Sequence, residues 1–150
     1  KRKGLDLLAE FFERTELPVR LVVAGSPLPR PMKNVQELGF CNNMPDLYRT
    51  ADYTIMASLY EPFGLVGIES VLCGTRVVLA DNMACCEVMK PEAGFFFKRA
   101  NPQTLADAVA RAVALKAGGA HRIASPLQAL NYDPTLANHL AQLDKMLQAV

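Results

Sequence analysis

Two glutamates flank a glycine in the segment EPFGLVGIE at positions 61–69. Gly64 stands where the loop after a strand turns into a helix, and a glycine there lets the backbone approach a ligand closely. The first turn of that helix presents free amides and the positive end of the helix dipole, which together suit a phosphate. Glu61 precedes the helix, and Glu69 lies about four residues into it, roughly 6 Å along the axis at about 1.5 Å per residue.

The two carboxylates indicate that the ligand carries more than phosphate. Carboxylate oxygens accept hydrogen bonds from hydroxyl groups, so Glu61 and Glu69 on either side of an anion site suit a phosphate flanked by sugar or ribose hydroxyls. A plainer interpretation stays open for each glutamate taken alone, as a solvated side chain or one that complements the helix dipole. Phe63 also has a plain explanation, as a side chain that covers the core.

Helical and strand patterns alternate along the chain. Apolar residues recur at helical spacing from Leu5 to Phe12, and runs rich in Val, Ile and Leu indicate buried strands. This alternation predicts an α/β fold with a doubly wound parallel sheet and helices on both faces. The predicted strands are 19–24, 35–40, 53–57, 76–80 and 94–97, and the predicted helices lie near 5–12, 46–51, 65–73, 85–90, 102–113 and 133–149.

The loops after the predicted strands are where function is expected, because ligands of such folds bind beyond the carboxyl ends of the strands. These loops are 25–34, 40–45, 58–64 and 81–86. The third of them contains Glu61 and leads into the helix that carries Glu69. The topology therefore predicts a ligand site at one edge of the sheet, built around Gly64.

Composition excludes several classes of protein. The chain has 150 residues, the length of one domain, and its 51% hydrophobic and 21% charged residues argue against disorder. A net charge of +1 is too small for binding nucleic acid by charge alone. No apolar run approaches the roughly 18 residues of a membrane span, and the N-terminus lacks a signal peptide's apolar stretch. Four cysteines form no C-x-x-C pair, so we expect free thiols, no metal site and a cytoplasmic protein.

Several passages resemble glycosyltransferases. Seven residues separate Glu61 from Glu69, and this spacing is similar to the E-x7-E signature of retaining glycosyltransferases with the GT-B fold, especially glycosyltransferase family 4. The surrounding passages resemble the same family in the same order, over nearly the whole chain. They are KGLDLL at 3–8, LVVAG at 21–25, LGF at 38–40, PDLYRTAD at 45–52, SLYEPFGLVGIE at 58–69 and CGTRVV at 73–78.

The resemblance implies a single Rossmann-like, donor-binding domain over residues 1–150, the C-terminal half of a GT-B enzyme. The first, central strand of that domain, the arginine that follows it and the acceptor-binding domain are not among these residues. The implied reaction transfers a sugar from a nucleoside-diphosphate sugar to an acceptor without a metal, in polysaccharide, lipopolysaccharide or glycolipid synthesis. We expect these residues alone to be inactive in transfer, and any contact with the inner face of the membrane to be made through the acceptor domain.

The resemblance also implies roles for single residues on the donor sugar and its diphosphate. Glu61 contacts hydroxyls of the transferred sugar, and the amides of Phe63, Gly64 and Leu65 contact the sugar and the pyrophosphate. Lys3 neutralises the pyrophosphate as it leaves, so Lys3 and Glu61 are the implied catalytic residues. Lys1 and Arg2 beside it either add to the positive field or are ordinary solvated charges.

Further implied roles concern the nucleoside. Glu69 holds the ribose hydroxyls, and the nucleobase packs near Gly39, Phe40, Cys41 and Met44. Within the helix that carries Glu69, Gly67 stands where the family more often has a bulkier residue, and this departure predicts close packing or close approach of a ligand.

Two other functions stay open. One is a non-catalytic module that binds a nucleotide sugar for regulation and keeps only the donor site. The other is a dinucleotide-dependent α/β enzyme, which ranks lower because no G-x-G-x-x-G follows a predicted strand. Whether the parent gene encodes a second Rossmann-like domain distinguishes a glycosyltransferase, which needs that domain, from the non-catalytic module, which does not.

Overall fold

The computed structural model describes residues 2–25 and 27–148, and five strands and five α-helices lie within them. Two 3₁₀ helices, Ala84–Val88 and Pro91–Ala93, lie between the fourth and fifth of these strands, and a third covers Pro126–Ala129. In chain order the elements are α1 (Leu5–Arg14), β1 (Leu21–Ala24), β2 (Val35–Gly39), α2 (Met44–Thr50), β3 (Tyr53–Met56), α3 (Leu65–Leu72), β4 (Arg76–Ala80), β5 (Gly94–Phe97), α4 (Pro102–Ala117) and α5 (Leu136–Gln148).

All the strand pairs are parallel, as the sequence predicts. β1 pairs with β2, and separately β3 pairs with β4 and β4 with β5. The central strand of the second sheet is buried along Val77–Ala80, which explains its uninterrupted apolar run. Helix α4 covers this sheet through Leu105, Ala108, Val109 and Ala112, all of which are buried. The carboxyl ends of β3, β4 and β5 therefore meet at one edge.

A cavity of about 830 Å³ separates the two sheets. Leu21 and Val22 of β1 line it from one side, and Thr54 and Ile55 of β3 line it from the other. Neither strand has a ladder partner on that side among the described residues. The resemblance implies a further, central strand that is not among residues 1–150, and this cavity lies between the two sheets.

Helix boundaries follow the capping residues. Asn101 accepts a hydrogen bond from the Gln103 amide ahead of Pro102, so the predicted start of α4 is confirmed. The last helix begins at Leu136 rather than at Asp133, because the hydroxyl of Thr135 accepts from the Asn138 amide at 3.3 Å and takes the capping position. The predicted end of that helix at 149 lies outside the described residues.

Candidate functional site

The loop after β3 is held in place by three other segments at the carboxyl edge of the sheet. The Leu59 amide donates to the Arg2 carbonyl at 2.9 Å, ahead of α1. The Asn82 side chain, after β4, donates to the carbonyls of Ser58 (3.1 Å) and Leu59 (3.0 Å). The Arg99 guanidinium, after β5, donates from Nε to the Ala57 carbonyl at 2.9 Å. The loop that leads to Glu61 is therefore braced from both sides.

The turn into α3 has a backbone that requires glycine. Gly64 has φ +96°, and a Cβ there would lie 2.9 Å from the Cys85 sulfur. The Cys85 amide, in the 3₁₀ helix Ala84–Val88, donates to the Phe63 carbonyl at 2.8 Å and so holds the turn in place. Phe63 is half-buried and packs against the core, while Leu65 is 64% exposed.

Two leading amides of α3 have no hydrogen-bond partner among the described residues, although Gly64 at the turn is itself buried. The Gly67 amide bonds back to the Gly64 carbonyl at 2.9 Å, but the amides of Leu65 and Val66 donate no hydrogen bond to the described residues. No acidic side chain occupies the first turn of the helix. These free donors and the helix dipole can accommodate an anion.

Lys3 and Glu61, predicted as a pair of catalytic residues from distant parts of the sequence, meet in the structure. The Lys3 ammonium donates to Glu61 Oε2 and forms an ion pair with it. The Glu61 side chain is only 15% exposed, whereas that of Lys3 is 56% exposed. A cation and a carboxylate therefore lie together beside the turn at Gly64, and both reach solvent.

Glu69 has a partner that the sequence did not reveal. The hydroxyl of Tyr48, on α2, donates to Glu69 Oε2 at 2.9 Å. Tyr48 is buried, and burial together with this hydrogen bond raises the pKa of its phenol. The phenol thus stays protonated at neutral pH and acts as a hydrogen-bond donor to the carboxylate.

The segment predicted to contact a nucleobase leads directly into α2. Phe40 is 86% exposed and Gly39 is exposed, with φ +67° and no atom within 4 Å of a Cβ built on it. Cys41 and Met44 are half-buried, and Met44 also lines the cavity between the sheets. This segment is therefore continuous with α2, the helix whose Tyr48 contacts Glu69.

Gly67 is explained by close packing. A Cβ there would lie 3.1 Å from Met89 Cε, 3.2 Å from Leu79 Cδ1 and 3.3 Å from Cys85 Sγ. These are core side chains, so of the two explanations offered by the sequence, close packing accounts for this glycine.

Sequence reasoning missed several residues that support the site, among them Tyr48, Asn82 and Arg99. Tyr48 lies within a passage used for the resemblance, and Asn82 lies in one of the loops expected to carry function. Each of the three has its hydrogen-bond partner, either a backbone carbonyl or a side chain, more than twenty positions away in the sequence. No local pattern signals such contacts.

The four cysteines are free thiols; Cys85 is buried and the other three are half-buried. The Cys86 thiol donates to the Ala80 carbonyl at 3.5 Å. Residues 2–25 and 27–148 contain no group of three or more His, Cys, Asp or Glu side chains that could hold a metal ion. None of the helices described is both long and apolar enough to cross a bilayer.

A backbone contact ties the start of α1 to the loop after β3, and it yields a prediction. Gly4 has φ +70°, and a Cβ there would lie 1.9 Å from the Ala57 carbonyl oxygen. We expect Gly4→Ala to lower the free energy of unfolding by roughly 2–5 kcal/mol, from left-handed strain and a forced backbone shift. Chemical denaturation measures this loss.

Gly119→Ala is the matched control. Gly119 has φ +77°, but no atom lies within 4 Å of its added Cβ, so only the strain of roughly 1–2 kcal/mol applies. Equal losses in the two variants would show that Gly4 is not packed against the Ala57 carbonyl.

Comparison with known proteins identifies the family. The model described as Glycosyl transferases group 1 matches residues 1–124. The chain belongs to this family. It is 40% identical over 146 residues to a probable transglycosylase of Burkholderia thailandensis, a match that covers 95% of this chain and 40% of that protein. It is 46% identical over 101 residues to a mannosylfructose-phosphate synthase of Agrobacterium fabrum, covering 51% of this chain and 22% of that protein.

Solved structures agree on the fold. HepE of Anabaena in complex with UDP matches 99% of this chain and 46% of its own, with a TM-score of 0.78 and 21% identity. A sucrose-phosphate synthase of Thermosynechococcus elongatus matches 99% of this chain and 43% of its own, with a TM-score of 0.73 and 26% identity. The predicted α/β fold is confirmed as that of GT-B glycosyltransferases. This chain spans less than half the length of each of these proteins.

Proposed function

We propose that this chain is the donor-binding half of a retaining, metal-independent glycosyltransferase of family 4. It binds a nucleoside-diphosphate sugar, and the whole enzyme transfers the sugar to an acceptor in polysaccharide, lipopolysaccharide or glycolipid synthesis. Membership of the glycosyl transferase group 1 family supports sugar transfer. Among proteins of the same fold, HepE of Anabaena has been solved with UDP and with UDP-glucose, which supports a nucleotide-sugar donor here.

One observation carries the proposal: three kinds of ligand-binding group follow one another around the turn at Gly64. Glu61 lies before the turn, its partner Lys3 and the free amides of α3 form the cationic part of the site, and Glu69 lies beyond the turn, against α2. A nucleoside-diphosphate sugar carries sugar hydroxyls, a diphosphate and ribose hydroxyls in this same order. Each part of the donor thus has groups of matching chemistry.

In this proposal different residues bind the sugar and the diphosphate and stabilise the leaving group. Glu61 accepts hydrogen bonds from the sugar, and the amides of Phe63, Gly64 and Leu65 bind the sugar and the diphosphate. As the bond from the sugar to the diphosphate breaks, negative charge builds on the departing phosphate, and Lys3 with the α3 amides stabilises it in place. A fixed cation and a helix N-terminus supply here the positive charge that a metal ion supplies in other enzymes.

The cavity between β1 and β3 supports a further strand in the complete protein. Both strands present an edge without a ladder partner among the described residues, and apolar side chains line the space between them. We propose that a strand preceding Lys3 in the complete protein fills it, with the acceptor domain upstream. Residues 1–150 alone are then expected to bind donor weakly and to transfer nothing.

A titration tests the proposal. UDP, GDP and ADP, and their common sugar conjugates, are added to the complete gene product, and binding is followed by calorimetry. We expect one nucleoside diphosphate to bind, and its sugar conjugate to be turned over with release of the diphosphate. Binding without turnover in the presence of an acceptor panel would favour the regulatory module, and binding of none of the three would reject the donor site.

A further inference from the structure

The carboxylate proposed to hold the ribose is itself held by a buried tyrosine. Tyr48 is 3% exposed, and its hydroxyl donates to Glu69 Oε2 at 2.9 Å. Glu69 Oε1 accepts no hydrogen bond from any described residue. One oxygen of the carboxylate is therefore fixed by the protein, and the other remains available to a ligand.

The tyrosine is anchored at its backbone as well as through its ring. The Tyr48 carbonyl accepts a hydrogen bond from Thr75 Oγ1 at 2.6 Å, and Thr75 is fully buried just before β4. Thr75 Oγ1 in turn accepts from the Arg122 guanidinium at 2.6 Å. This series of hydrogen bonds fixes α2 relative to the strand that follows α3, so the Tyr48 hydroxyl has a defined position opposite Glu69.

A surface glutamate that lacks such a partner samples several rotamers, and a ligand that binds it must first immobilise it. Tyr48 reduces this loss of side-chain entropy, because its phenol restrains the carboxylate before the ligand arrives. Burial raises the pKa of the phenol, so it remains a donor across the working range of pH. An ionised phenol would instead repel the carboxylate.

We propose that Tyr48 is a positioning residue that orients Glu69 toward the ribose hydroxyls and so makes the site selective for ribonucleotides. This inference rests on the proposed function, because it takes Glu69 as the group that binds the ribose. Tyr48 itself touches no substrate. It acts by holding Oε2 so that Oε1 accepts a hydrogen bond from the 2′- or 3′-hydroxyl of the nucleotide.

The test compares nucleotides with and without those hydroxyls. UDP, GDP and ADP and their 2′,3′-dideoxy forms are titrated into the complete gene product carrying Tyr48→Phe. We expect the best-binding ribonucleotide to lose about three- to tenfold in affinity, as for one hydrogen bond, and its dideoxy form to lose less than twofold. p-Aminophenylalanine at position 48 restores an N–H donor and should recover the affinity.

Tyr53→Phe is the matched control. The Tyr53 hydroxyl donates to the Ala112 carbonyl at 2.8 Å, and burial raises the pKa of this phenol too, but it lies away from Glu69. Both variants remove one hydroxyl and keep the ring in the core. Thermal unfolding shows that each is folded, and we expect Tyr53→Phe to bind every nucleotide as the unmodified protein does.

Comparison with Glu69→Ala separates failure of the inference from failure of the proposed function. If Glu69→Ala leaves binding of ribonucleotides unchanged, the ribose assignment is wrong and the proposed function loses its support. If Glu69→Ala weakens binding but Tyr48→Phe does not, or weakens dideoxy and ribonucleotides alike, only the positioning role is overturned. In a Tyr48→Phe/Glu69→Ala double variant, the loss should equal that of Glu69→Ala alone.

Discussion

Lys3→Ala should lower the turnover number of the complete enzyme by roughly a hundred- to a thousandfold, the usual loss when one charge-stabilising donor is removed from an active site. Lys3 reaches solvent beside the turn at Gly64, where the proposed diphosphate departs. Charge on that diphosphate grows as the sugar leaves, so the interaction is strongest in the transition state. We therefore expect the KM for the donor to change far less than the turnover number.

Release of nucleoside diphosphate from the sugar conjugate that the protein turns over best measures this effect. Lys33→Ala is the control, because Lys33 is 65% exposed, lies 4.0 Å from Glu16 and directly precedes Asn34, whose carbonyl accepts from the Leu21 amide at the amino end of β1. Its turnover should equal that of the unmodified protein. A turnover number for Lys3→Ala within threefold of the unmodified enzyme would remove Lys3 from the chemistry and leave it as the ion-pair partner of Glu61.

Glu69→Ala should weaken binding of the nucleoside diphosphate about ten- to a hundredfold. A hydrogen bond to a charged group contributes roughly 1.5–3 kcal/mol, and each 1.4 kcal/mol is about tenfold in affinity. The loss should be confined to nucleotides that carry ribose hydroxyls. Calorimetric titration of the ribonucleotide and its dideoxy form measures both parts of the prediction.

Glu10→Ala provides a matched helix-surface control. Glu10 lies on α1 and pairs with Arg14 at 2.9 Å across one turn, with both side chains largely exposed. Such pairs contribute little, typically under about 1 kcal/mol, and this one is remote from the turn at Gly64. Nucleotide binding by Glu10→Ala should be unchanged. A similar loss in the two variants would mean that general charge, rather than Glu69, attracts the nucleotide.

Much of the fold follows from the sequence because its signals are local. The apolar run of β4 and the Asn101-Pro102 start of α4 specify their elements directly, and both are observed where predicted. At the start of α5, Asp133 and Thr135 both offer a capping oxygen within one turn, and the local sequence does not decide between them. The Thr135 hydroxyl takes the cap, which shifts the helix by two to three residues.

Only the part of the site within the segment 61–69 could be predicted from local sequence. Lys3 and Glu61 are 58 positions apart, and their ion pair follows from the approach of Gly4 to Ala57 rather than from any local pattern. Tyr48 is the clearest omission. As a buried tyrosine on a short helix it has the pattern of a core residue, and its role emerges only when α2 packs beside α3.

The gap between the two sheets could not be predicted from the sequence, for another physical reason. Residues 21–24 and 53–56 have the composition of inner strands, yet each has a ladder partner on one side only among the described residues. Pairing of parallel strands is set by tertiary topology, because a crossover separates the partners in sequence. Sequence patterns identify such strands but do not say which neighbour lies on each edge.

A crystal structure of the complete gene product with its best-binding nucleoside diphosphate tests the account most directly. We expect the diphosphate oxygens within about 3 Å of the Gly64 and Leu65 amides and a ribose hydroxyl at the same distance from Glu69. Lys3 should then have left Glu61 for the phosphate. A nucleotide bound at the opposite edge of the sheet, or with its ribose away from Glu69, would contradict the proposed donor site.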